Sequence, residues 1–376
     1  MKVLLWGGTG LLSSEVRSLS VQAGCDVYIL NNEHINKNIE KQVNVLIADF
    51  YNKHSVEKAV NDMAFDIVVD FLSRKPEDIN RIFPIFKDKC KQYIFISSAC
   101  VYRRSKEDGI ITEDSPKPNI DWSYNIEKYD CEKTLIRLSN EAGIHYTIIR
   151  PYIIYDNTRI PFGIAPLYGY HWTIIGRILA GKPIFVWDKG TSITTLTRVE
   201  DFAKGVVGLF DNEKAYNQDF HIVTQEIHTW KEFLEILFSL LNKTINIVEI
   251  PTKYIISELP EYKEILLGDR AIDAHFDNSK ILSAVNGLEF SISLKEGLKK
   301  TIDHYKENDY LKGIDYIWDA KIDRLIANCT SQKISFVDYL GNANKKDRRI
   351  YFIYRHLPVK IANKILSVLH KINMLK

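Results

Sequence analysis

Short β-rich runs alternate with helical patterns over the first 150 residues of this 376-residue chain, and this alternation limits its possible folds more than any other feature. The runs span residues 2–6, 26–30, 44–47, 66–71, 92–97 and 146–149, and helical patterns such as 55–63 and 76–88 lie between them. Strands joined through helices form parallel sheets with helices on both faces. The sequence therefore predicts an α/β class with a doubly wound parallel sheet.

A glycine-rich turn follows the first run. Gly7-Gly8-Thr9-Gly10 precedes a helical pattern that begins at Leu11. Glycines at such a turn let the backbone approach a pyrophosphate, which then sits at the helix N-terminus. The third glycine of the usual pattern is Ser13 here. We interpret the turn as a nucleotide-binding loop, and the alternative is a tight strand-to-helix turn without a ligand.

Two further positions indicate how the adenosine half of a dinucleotide would be held. An acidic residue at the end of the second strand binds the ribose diol of NAD. Asn31 occupies that place, and it neither repels a 2′-phosphate nor attracts one. The cofactor could thus be NAD or NADP. Asp49 and Phe50 follow the third run and would suit an adenine edge and face, although a turn and a core residue explain them equally well.

Candidate reactive side chains come from residues 97–128. The run 92–97 ends in hydroxyls, so Ser98 would lie at the carboxyl edge of the sheet, where ligands bind in this class. Tyr124 and Lys128 are four residues apart in a helical pattern and therefore share one helix face. An ammonium beside a tyrosine favours the phenolate, which makes Tyr124 a candidate general acid or base. Alone, the pair is also compatible with a packed tyrosine near a solvated lysine.

Together, Gly7 and Gly10, Ser98, Tyr124 and Lys128, and Arg150-Pro151 resemble the extended short-chain dehydrogenase/reductase superfamily. The branch is the NAD-dependent epimerase/dehydratase family that acts on nucleotide sugars. The resemblance covers roughly residues 1–306 and implies a Rossmann-like core. It also implies that Tyr124 is the catalytic acid/base and that Lys128 binds the nicotinamide ribose and lowers the pKa of Tyr124. Ser98 would contact the reacting sugar oxygen, and Pro151 would border the nicotinamide.

Departures from the family pattern narrow the chemistry. Dehydratases of this family carry Thr-Asp-Glu where this chain has Ser98-Ala99-Cys100, so a 4,6-dehydratase is disfavoured. An arginine that clamps the substrate diphosphate in many epimerases is replaced by the segment 194–196, which is Thr-Thr-Leu. A bidentate arginine contact is not reproduced by threonine. Arg159, Arg177 or Arg198 could supply this contact to the substrate.

Three functions remain open at this point. The first is a nucleotide-sugar epimerase, in which Tyr124 moves a proton while hydride leaves a sugar carbon and returns to its other face. The second is a keto-sugar reductase that uses the same residues, which Asn31 slightly favours. The third is a non-catalytic nucleotide-binding member of the family, which the complete set of Ser98, Tyr124 and Lys128 disfavours.

The chain composition predicts organisation and location. We expect a nucleotide-binding core at 1–150, a smaller α/β substrate lobe at 151–306 interleaved with the last core elements, and a helical extension at 307–376. The net charge of +2 gives no reason to expect nucleic acid, and the five scattered cysteines favour a reducing, cytoplasmic compartment without a metal site. Residues 348–376 hold seven Lys and Arg and no acid. That amphipathic end predicts docking on the chain itself, on a second subunit of a homodimer or, weakly, on a membrane surface.

Overall fold

The computed structural model describes residues 1–32, 39–105 and 109–371. Its contacts divide the chain into two units. The first unit comprises residues 1–156, 195–227 and 274–292, and the second comprises 157–194, 228–273 and 293–376. The sequence predicts a core at 1–150 and a lobe at 151–306 that is interleaved with the last core elements, and each observed unit is assembled from three separate segments.

A seven-stranded parallel sheet forms the centre of the first unit. Its strands are β1 (Lys2–Trp6), β2 (Asp26–Asn31), β3 (Asn44–Ile47), β4 (Ile67–Asp70), β5 (Gln92–Ile96), β6 (His145–Pro151) and β11 (Gln218–Ile222). In the sheet they follow the order β3-β2-β1-β4-β5-β6-β11, as expected for a doubly wound sheet. The predicted fold class is confirmed.

Helices cover both faces of this sheet because successive strand residues point to opposite sides. Val3 and Leu5 of β1 belong to one buried layer, and Leu4 and Trp6 belong to the other. The first layer is covered by α1 (Leu11–Gln22), α6 (Val199–Gly208) and α10 (Ser279–Ala284). The second is covered by α2 (Lys53–Ala59), α3 (Pro76–Phe86) and α4 (Ser123–Ala142).

Helix α2 begins two residues earlier than the sequence pattern predicts. The side chain of Asn52 accepts a hydrogen bond from the backbone N–H of Ser55 at 3.2 Å and so caps the helix. An Asn at this position satisfies one of the unpaired N–H groups of a first turn, which shifts the start toward the cap. The remaining short elements of the first unit are a 3₁₀ turn at Ala99–Val101, β7 (Ile154–Tyr155), β10 (Thr197–Arg198) and a 3₁₀ turn at Glu213–Ala215.

The second unit combines helices with a short parallel strand pair, β8 (Ile184–Trp187) and β13 (Ile247–Ile250). Two strands, β9 (Ile193–Thr195) and β12 (Ile227–Thr229), lie at segment ends of the two units. The helices of this unit are α5 (Trp172–Leu179), α7 (Trp230–Leu240), α8 (Thr252–Glu258), α9 (Lys263–Ile265), α11 (Leu294–Glu307), α12 (Tyr316–Thr330), α13 (Lys345–His356) and α14 (Val359–Lys371). Further turns are 3₁₀ at Pro260–Tyr262 and Asp309–Leu311 and π-helical at Leu266–Arg270.

The C-terminal extension is less helical than predicted, because residues 331–344 form no helix between α12 and α13. It is joined to the rest of the second unit by buried charges. Arg177 Nη1 of α5 donates to Asp319 Oδ1 at 2.5 Å and to Asp323 Oδ1 at 2.7 Å. Lys182 Nζ donates to the other oxygens of the same aspartates at 3.0 and 2.5 Å. The four opposite charges compensate each other, so α12 is bound to this unit by a neutral buried network.

Candidate active site

The glycine-rich turn has room for nothing larger than glycine at two positions. Gly7 has a φ of +91°, and a Cβ there would lie 2.6 Å from Leu72 Cγ. A Cβ on Gly8 would lie 2.2 Å from Ile29 Cγ2. Both distances are far below van der Waals contact, so the turn can pass this close to β2 and β4 only with glycine.

Ser13 replaces the third glycine of the pattern and takes over a capping role. The backbone N–H of Gly10, the residue before α1, donates to Ser13 Oγ at 2.9 Å. A hydroxyl three residues into the helix therefore closes its first turn. Leu11 is the first helical residue, so it lies at the positive end of the α1 dipole, where a phosphate would be stabilised.

Arg17 stabilises this turn through a hydrogen bond to its backbone, and sequence reasoning missed this residue. Its Nη1 donates to the carbonyl oxygen of Gly8 at 2.7 Å, and its Nε donates to Glu40 Oε2 at 2.6 Å. The guanidinium is almost fully buried, and its hydrogen bond helps to lower the pKa of the Glu40 carboxyl against the opposing effect of burial. A basic residue on the buried face of α1 was the available sequence signal.

The three residues predicted to bind the adenosine half of the cofactor have different surroundings. Phe50 borders a cavity of about 210 Å³ and packs on Trp6 with ring centroids 5.1 Å apart. Asp49 is exposed, and its carboxylate accepts the backbone N–H of Tyr51 at 2.9 Å. Asn31 is buried at the end of β2, and its side-chain nitrogen has no partner in the described structure. The cavity is also lined by Arg74 and Arg81, two cations that the sequence reasoning did not single out.

Lys128 reaches the carboxyl ends of two neighbouring strands. Its Nζ donates to the carbonyl oxygen of Ser73 at 2.7 Å, in the loop after β4, and to that of Ile96 at 2.9 Å, at the end of β5. The ammonium also lies 4.6 Å from the centroid of the Phe95 ring. Burial lowers the pKa of Lys128, and the charge of Arg74 contributes in the same direction. The side chain is thus fixed at the sheet edge that the sequence predicts for ligand binding.

Tyr124 lies one turn before Lys128 on α4, and its side chain interacts with that of Ser98. Ser98 is buried, and its Oγ accepts the backbone N–H of Cys100 at 3.2 Å. Burial and the nearby Cys100 raise the pKa of Tyr124 to about 12, while the hydrogen bond from Ser98 and the charge of Arg74 lower it. This direction is opposite to the lowered pKa that the resemblance implies, because desolvation of the phenol outweighs the effects of Ser98 and Arg74.

A buried ion pair lies behind these residues. Glu132, one turn after Lys128 on α4, accepts a hydrogen bond from Ser97 Oγ at 2.5 Å. Its carboxylate also accepts Arg150 Nε at 2.9 Å and Nη2 at 2.7 Å, a bidentate contact. These bonds connect α4 to β5 and β6 next to the predicted catalytic serine. Sequence reasoning singled out Arg150 but missed Glu132, for which the signal was an acid on the buried face of the helix.

The remaining predicted residues lie elsewhere. Pro151 ends β6 and pairs in register with Ile222 of β11, at the carboxyl edge of the sheet. Arg198 is buried, and its guanidinium binds Glu200 at 2.6 and 2.9 Å and lies 5.1 Å from the Tyr155 ring centroid. Arg159 belongs to the second unit, where burial, the larger cause, and the charge of Arg159 lower the pKa of His171 to about 4.

No group of three His, Cys, Asp or Glu side chains within the described ranges could hold a metal ion. Of the residues predicted from the sequence, Gly7, Gly10, Ser98, Tyr124 and Lys128 all lie in the first unit.

Comparison with known families identifies the first part of the chain. Residues 3–222 match the model of the NAD dependent epimerase/dehydratase family, which is more than half of the sequence. The chain belongs to this family. The predicted resemblance is thereby confirmed.

Solved structures of epimerases share the fold of this family member. UDP-glucose 4-epimerase of Thermus thermophilus, determined with NAD, has a TM-score of 0.64 and 19% identity over 82% of this chain and 100% of its own. UDP-glucuronic acid 4-epimerase of Bacillus cereus, determined with UDP-glucuronic acid and NAD, has a TM-score of 0.65 and 17% identity over 82% and 99%. Identities this low establish the fold alone.

One curated relative is named for binding a stem-loop and not for an epimerase reaction. The chloroplast stem-loop binding protein of 41 kDa b from Arabidopsis thaliana is 28% identical over 242 residues. The match spans 61% of this chain and 60% of that protein's length.

Proposed function

We propose that this family member is an NAD(P)-dependent nucleotide-sugar epimerase. The observation that carries the proposal is the meeting of Ser98, Tyr124 and Lys128 at the carboxyl ends of β4 and β5, in the same unit as the glycine-rich turn. Ligands of open parallel sheets bind at this edge. A hydroxyl, a phenol and an ammonium there are the groups needed to move a proton to and from a sugar hydroxyl.

The proposed proton transfer uses Tyr124 as acid and base. It accepts the proton of a sugar hydroxyl as the carbon loses hydride, and it returns that proton when hydride arrives on the opposite face. Ser98, whose side chain interacts with Tyr124, would contact the same sugar oxygen. Lys128 would turn from the Ser73 and Ile96 carbonyl oxygens toward the ribose. The nicotinamide of the cofactor, when bound, accepts and returns the hydride.

The cofactor would lie on the glycine-rich turn. Gly7, Gly10 and Leu11 would receive its pyrophosphate at the start of α1, and Phe50 would lie beside the adenine. Asn31 would bind the adenosine ribose through its buried side-chain nitrogen, which has no protein partner among the described residues. Pro151 would border the nicotinamide. These assignments leave both NAD and NADP open, and the structures determined with NAD favour NAD.

The proposed substrate class is a sugar nucleotide. The names of the similar structures specify UDP-glucose and UDP-glucuronic acid. A substrate diphosphate would need a cation in this chain, and Arg159 and Arg198 are the proposed ones. Arg198 already binds Glu200. It would contact a substrate diphosphate only if it released the Glu200 carboxylate or bound both groups at once.

Analysis of the bound nucleotide tests the proposal. The protein is purified without added nucleotide, denatured, and the released compounds are identified by mass spectrometry. Near-stoichiometric NAD supports an epimerase, because a cofactor that is regenerated in each cycle can stay bound. An empty protein that binds NADPH instead supports the keto-sugar reductase, the alternative that Asn31 favours. A protein that binds neither dinucleotide contradicts both enzyme proposals.

A non-catalytic nucleotide-binding role is the second candidate. The observation that favours it is the name of the 28% identical relative, a stem-loop binding protein. A stem-loop RNA would then bind at physiological salt with an affinity that Tyr124→Phe leaves unchanged. Filter binding with a stem-loop and a matched single strand measures this. Failure to bind either RNA, which the low net charge predicts, would eliminate the candidate.

Association and location are further proposals. A homodimer through α4 would have to accommodate exposed Lys133, Arg137 and Glu141, so its formation should depend on salt. Analytical ultracentrifugation at two salt concentrations tests this. We also propose a cytoplasmic location. Within the residues that the structure describes, no helix has both the length and the apolar character that a membrane crossing requires.

A further inference from the structure

Helix α14 has exposed apolar side chains on the side that does not pack against the rest of the second unit. One side of α14 faces inward, where Ala362 is buried and Leu366 packs with the cluster around Tyr351. Ile361 and Val368 are 48% and 55% exposed. They are seven residues apart, so they lie on the same side of the helix, with Ile365 between them. We call Ile361, Ile365 and Val368 the outer strip.

Cations border the outer strip. Lys360 and Lys364 are exposed and lie beside it on the helical wheel of α14. Arg348 and Arg349 are exposed on α13. Asp347 is the only acid between residues 339 and 371, and its carboxylate accepts the backbone N–H of Asn344 at the start of α13. Arg348 is paired with Asp338 at 3.3 Å, and the remaining cations still give these two helices a net positive charge in a chain whose total charge is only +2.

An open cavity of about 710 Å³ lies at the start of α14. Three cations line it, Arg324, Arg355 and Lys360, together with His356 and Asn328. The one carboxylate that lines it, Glu258, already binds Arg324 at 3.3 Å. In the described part of the chain, neither Arg355 nor Lys360 forms an ion pair, and the Nε of buried Arg324 has no hydrogen-bond partner. The cavity thus has spare positive charge and donors for a phosphate group.

From the cavity and the outer strip together we propose that α13 and α14 dock on an anionic phospholipid bilayer. A headgroup phosphate would occupy the cavity between Arg355 and Lys360. The outer strip would enter the boundary between headgroups and acyl chains, with Lys364 on the headgroup side. An amphipathic helix with cations beside its apolar side binds anionic interfaces in this way. A nucleic acid would use the cations and leave the outer strip in water, so the exposed apolar residues favour the bilayer.

Vesicle flotation of the full chain tests this proposal. Phosphatidylcholine vesicles with and without phosphatidylglycerol are compared at low and high salt. We expect binding only with phosphatidylglycerol, and weaker binding at high salt. Each reversed cation should reduce the vesicle partition coefficient about fivefold or more. The variants Lys360→Glu and Arg355→Glu test the cavity, and Val368→Glu tests the outer strip.

Matched controls lie in the same unit, away from these helices in sequence. Lys243→Glu reverses an exposed lysine, and Ile245→Glu puts a charge at a 54% exposed isoleucine. Both should bind vesicles like the unaltered protein, and circular dichroism verifies that all variants fold.

Three outcomes would overturn the proposal. One is equal binding to neutral and anionic vesicles. Another is that Lys360→Glu loses vesicle binding while Val368→Glu still binds normally, which would indicate a free phosphate compound as ligand. The third is displacement of vesicles by stem-loop RNA at lower concentration than by glycerol phosphate, which would indicate a nucleic acid. The proposal does not depend on the catalytic function.

Discussion

Glu132 and Arg150 form a bidentate ion pair that is almost completely excluded from solvent, with donor–acceptor distances of 2.9 and 2.7 Å. The pair joins the helix of the proposed acid/base to the strand that ends at Pro151. Arg150 also donates to the hydroxyl oxygen of Tyr102 at 2.9 Å. Its Nη1 also lies 2.6 Å from Asp219 Oδ2 of β11, so the side chain connects β6 with α4, with β11 and with the turn at Tyr102.

Removing Arg150 should destabilise the protein strongly. Arg150→Met leaves the Glu132 carboxylate buried without its cation, which costs about 3–5 kcal/mol of unfolding free energy. Arg137→Met is the matched control, because Arg137 pairs with Glu141 on the same helix in an exposed position, where such pairs contribute about 0–1 kcal/mol. Urea denaturation of both variants measures the difference. Equal effects would show that the buried pair has no special role.

Tyr124→Phe should remove activity and preserve cofactor binding. The phenol is the proposed proton carrier, and loss of a general acid/base lowers kcat by about 10²–10⁴-fold. Tyr129→Phe, on the same helix, should leave kcat unchanged. Turnover of UDP-glucose and UDP-glucuronic acid, together with NAD titration by calorimetry, gives both quantities. Full activity of Tyr124→Phe on either sugar nucleotide would disprove the assignment.

Two glycines of the nucleotide turn should respond differently to alanine. Gly8→Ala places a Cβ against Ile29 and should cost about 1–3 kcal/mol of stability, as overpacking does. A Cβ on Gly10 meets only Ser13 Oγ at 3.5 Å, so Gly10→Ala should fold normally. We expect it to weaken NAD binding because the added methyl group takes up room in the turn that is proposed to receive the pyrophosphate. Thermal unfolding with and without NAD separates the two effects.

Acid should destabilise the protein before its carboxyl groups titrate. Burial lowers the pKa of both His171 and His221 to about 4. Between the unfolded value of about 6.5 and that lower pKa, the unfolded chain binds more protons, so stability falls as the pH falls. Each histidine should contribute about 2 kcal/mol of loss between pH 7 and pH 5. Urea denaturation at both values, with His221→Gln reducing the loss and exposed His54→Gln leaving it unchanged, checks this.

Removing one cation of the buried network that joins α12 to the rest of the second unit should destabilise the protein strongly. Lys182→Met leaves Asp319 and Asp323 to share Arg177 alone, and breaking a buried network in this way costs about 3–5 kcal/mol. Lys231→Met removes a lysine from an exposed pair with Glu249 and should leave the denaturation midpoint almost unchanged. Chemical denaturation compares them. Similar midpoints would mean that the charges of the network contribute little.

The sheet was predictable from the sequence because its strands are continuous apolar runs. Buried parallel strands and flanking helices leave a strong local pattern, and β1 occupies the predicted residues 2–6. The extension was harder. Residues 331–344 contain polar and aromatic residues without the period of a strand or a helix, so nothing local indicated where α12 ends. The capping of α2 by Asn52 likewise depends on one side-chain hydrogen bond.

The candidate site was predictable where a motif has fixed spacing. Tyr124 and Lys128 share a helix face by geometry alone, and the serine at the end of β5 follows from the sheet edge rule. Glu132 and Arg17 were missed because their partners, Arg150 and the Gly8 carbonyl, are distant in sequence. The raised pKa of Tyr124 depends on burial, which the sequence does not contain. Only the assembled structure shows that desolvation of the phenol exceeds the effects of Ser98 and Arg74 on its pKa.

The segment order of the two units has a consequence for synthesis on the ribosome. The chain passes from one unit to the other after residues 156, 194, 227, 273 and 292. The last strand of the large sheet is therefore translated only after a portion of the second unit, and neither unit exists as one uninterrupted stretch of the gene. A single block of sequence that contains all of the second unit also contains residues 195–227 and 274–292 of the first, so one recombination event cannot exchange either unit by itself.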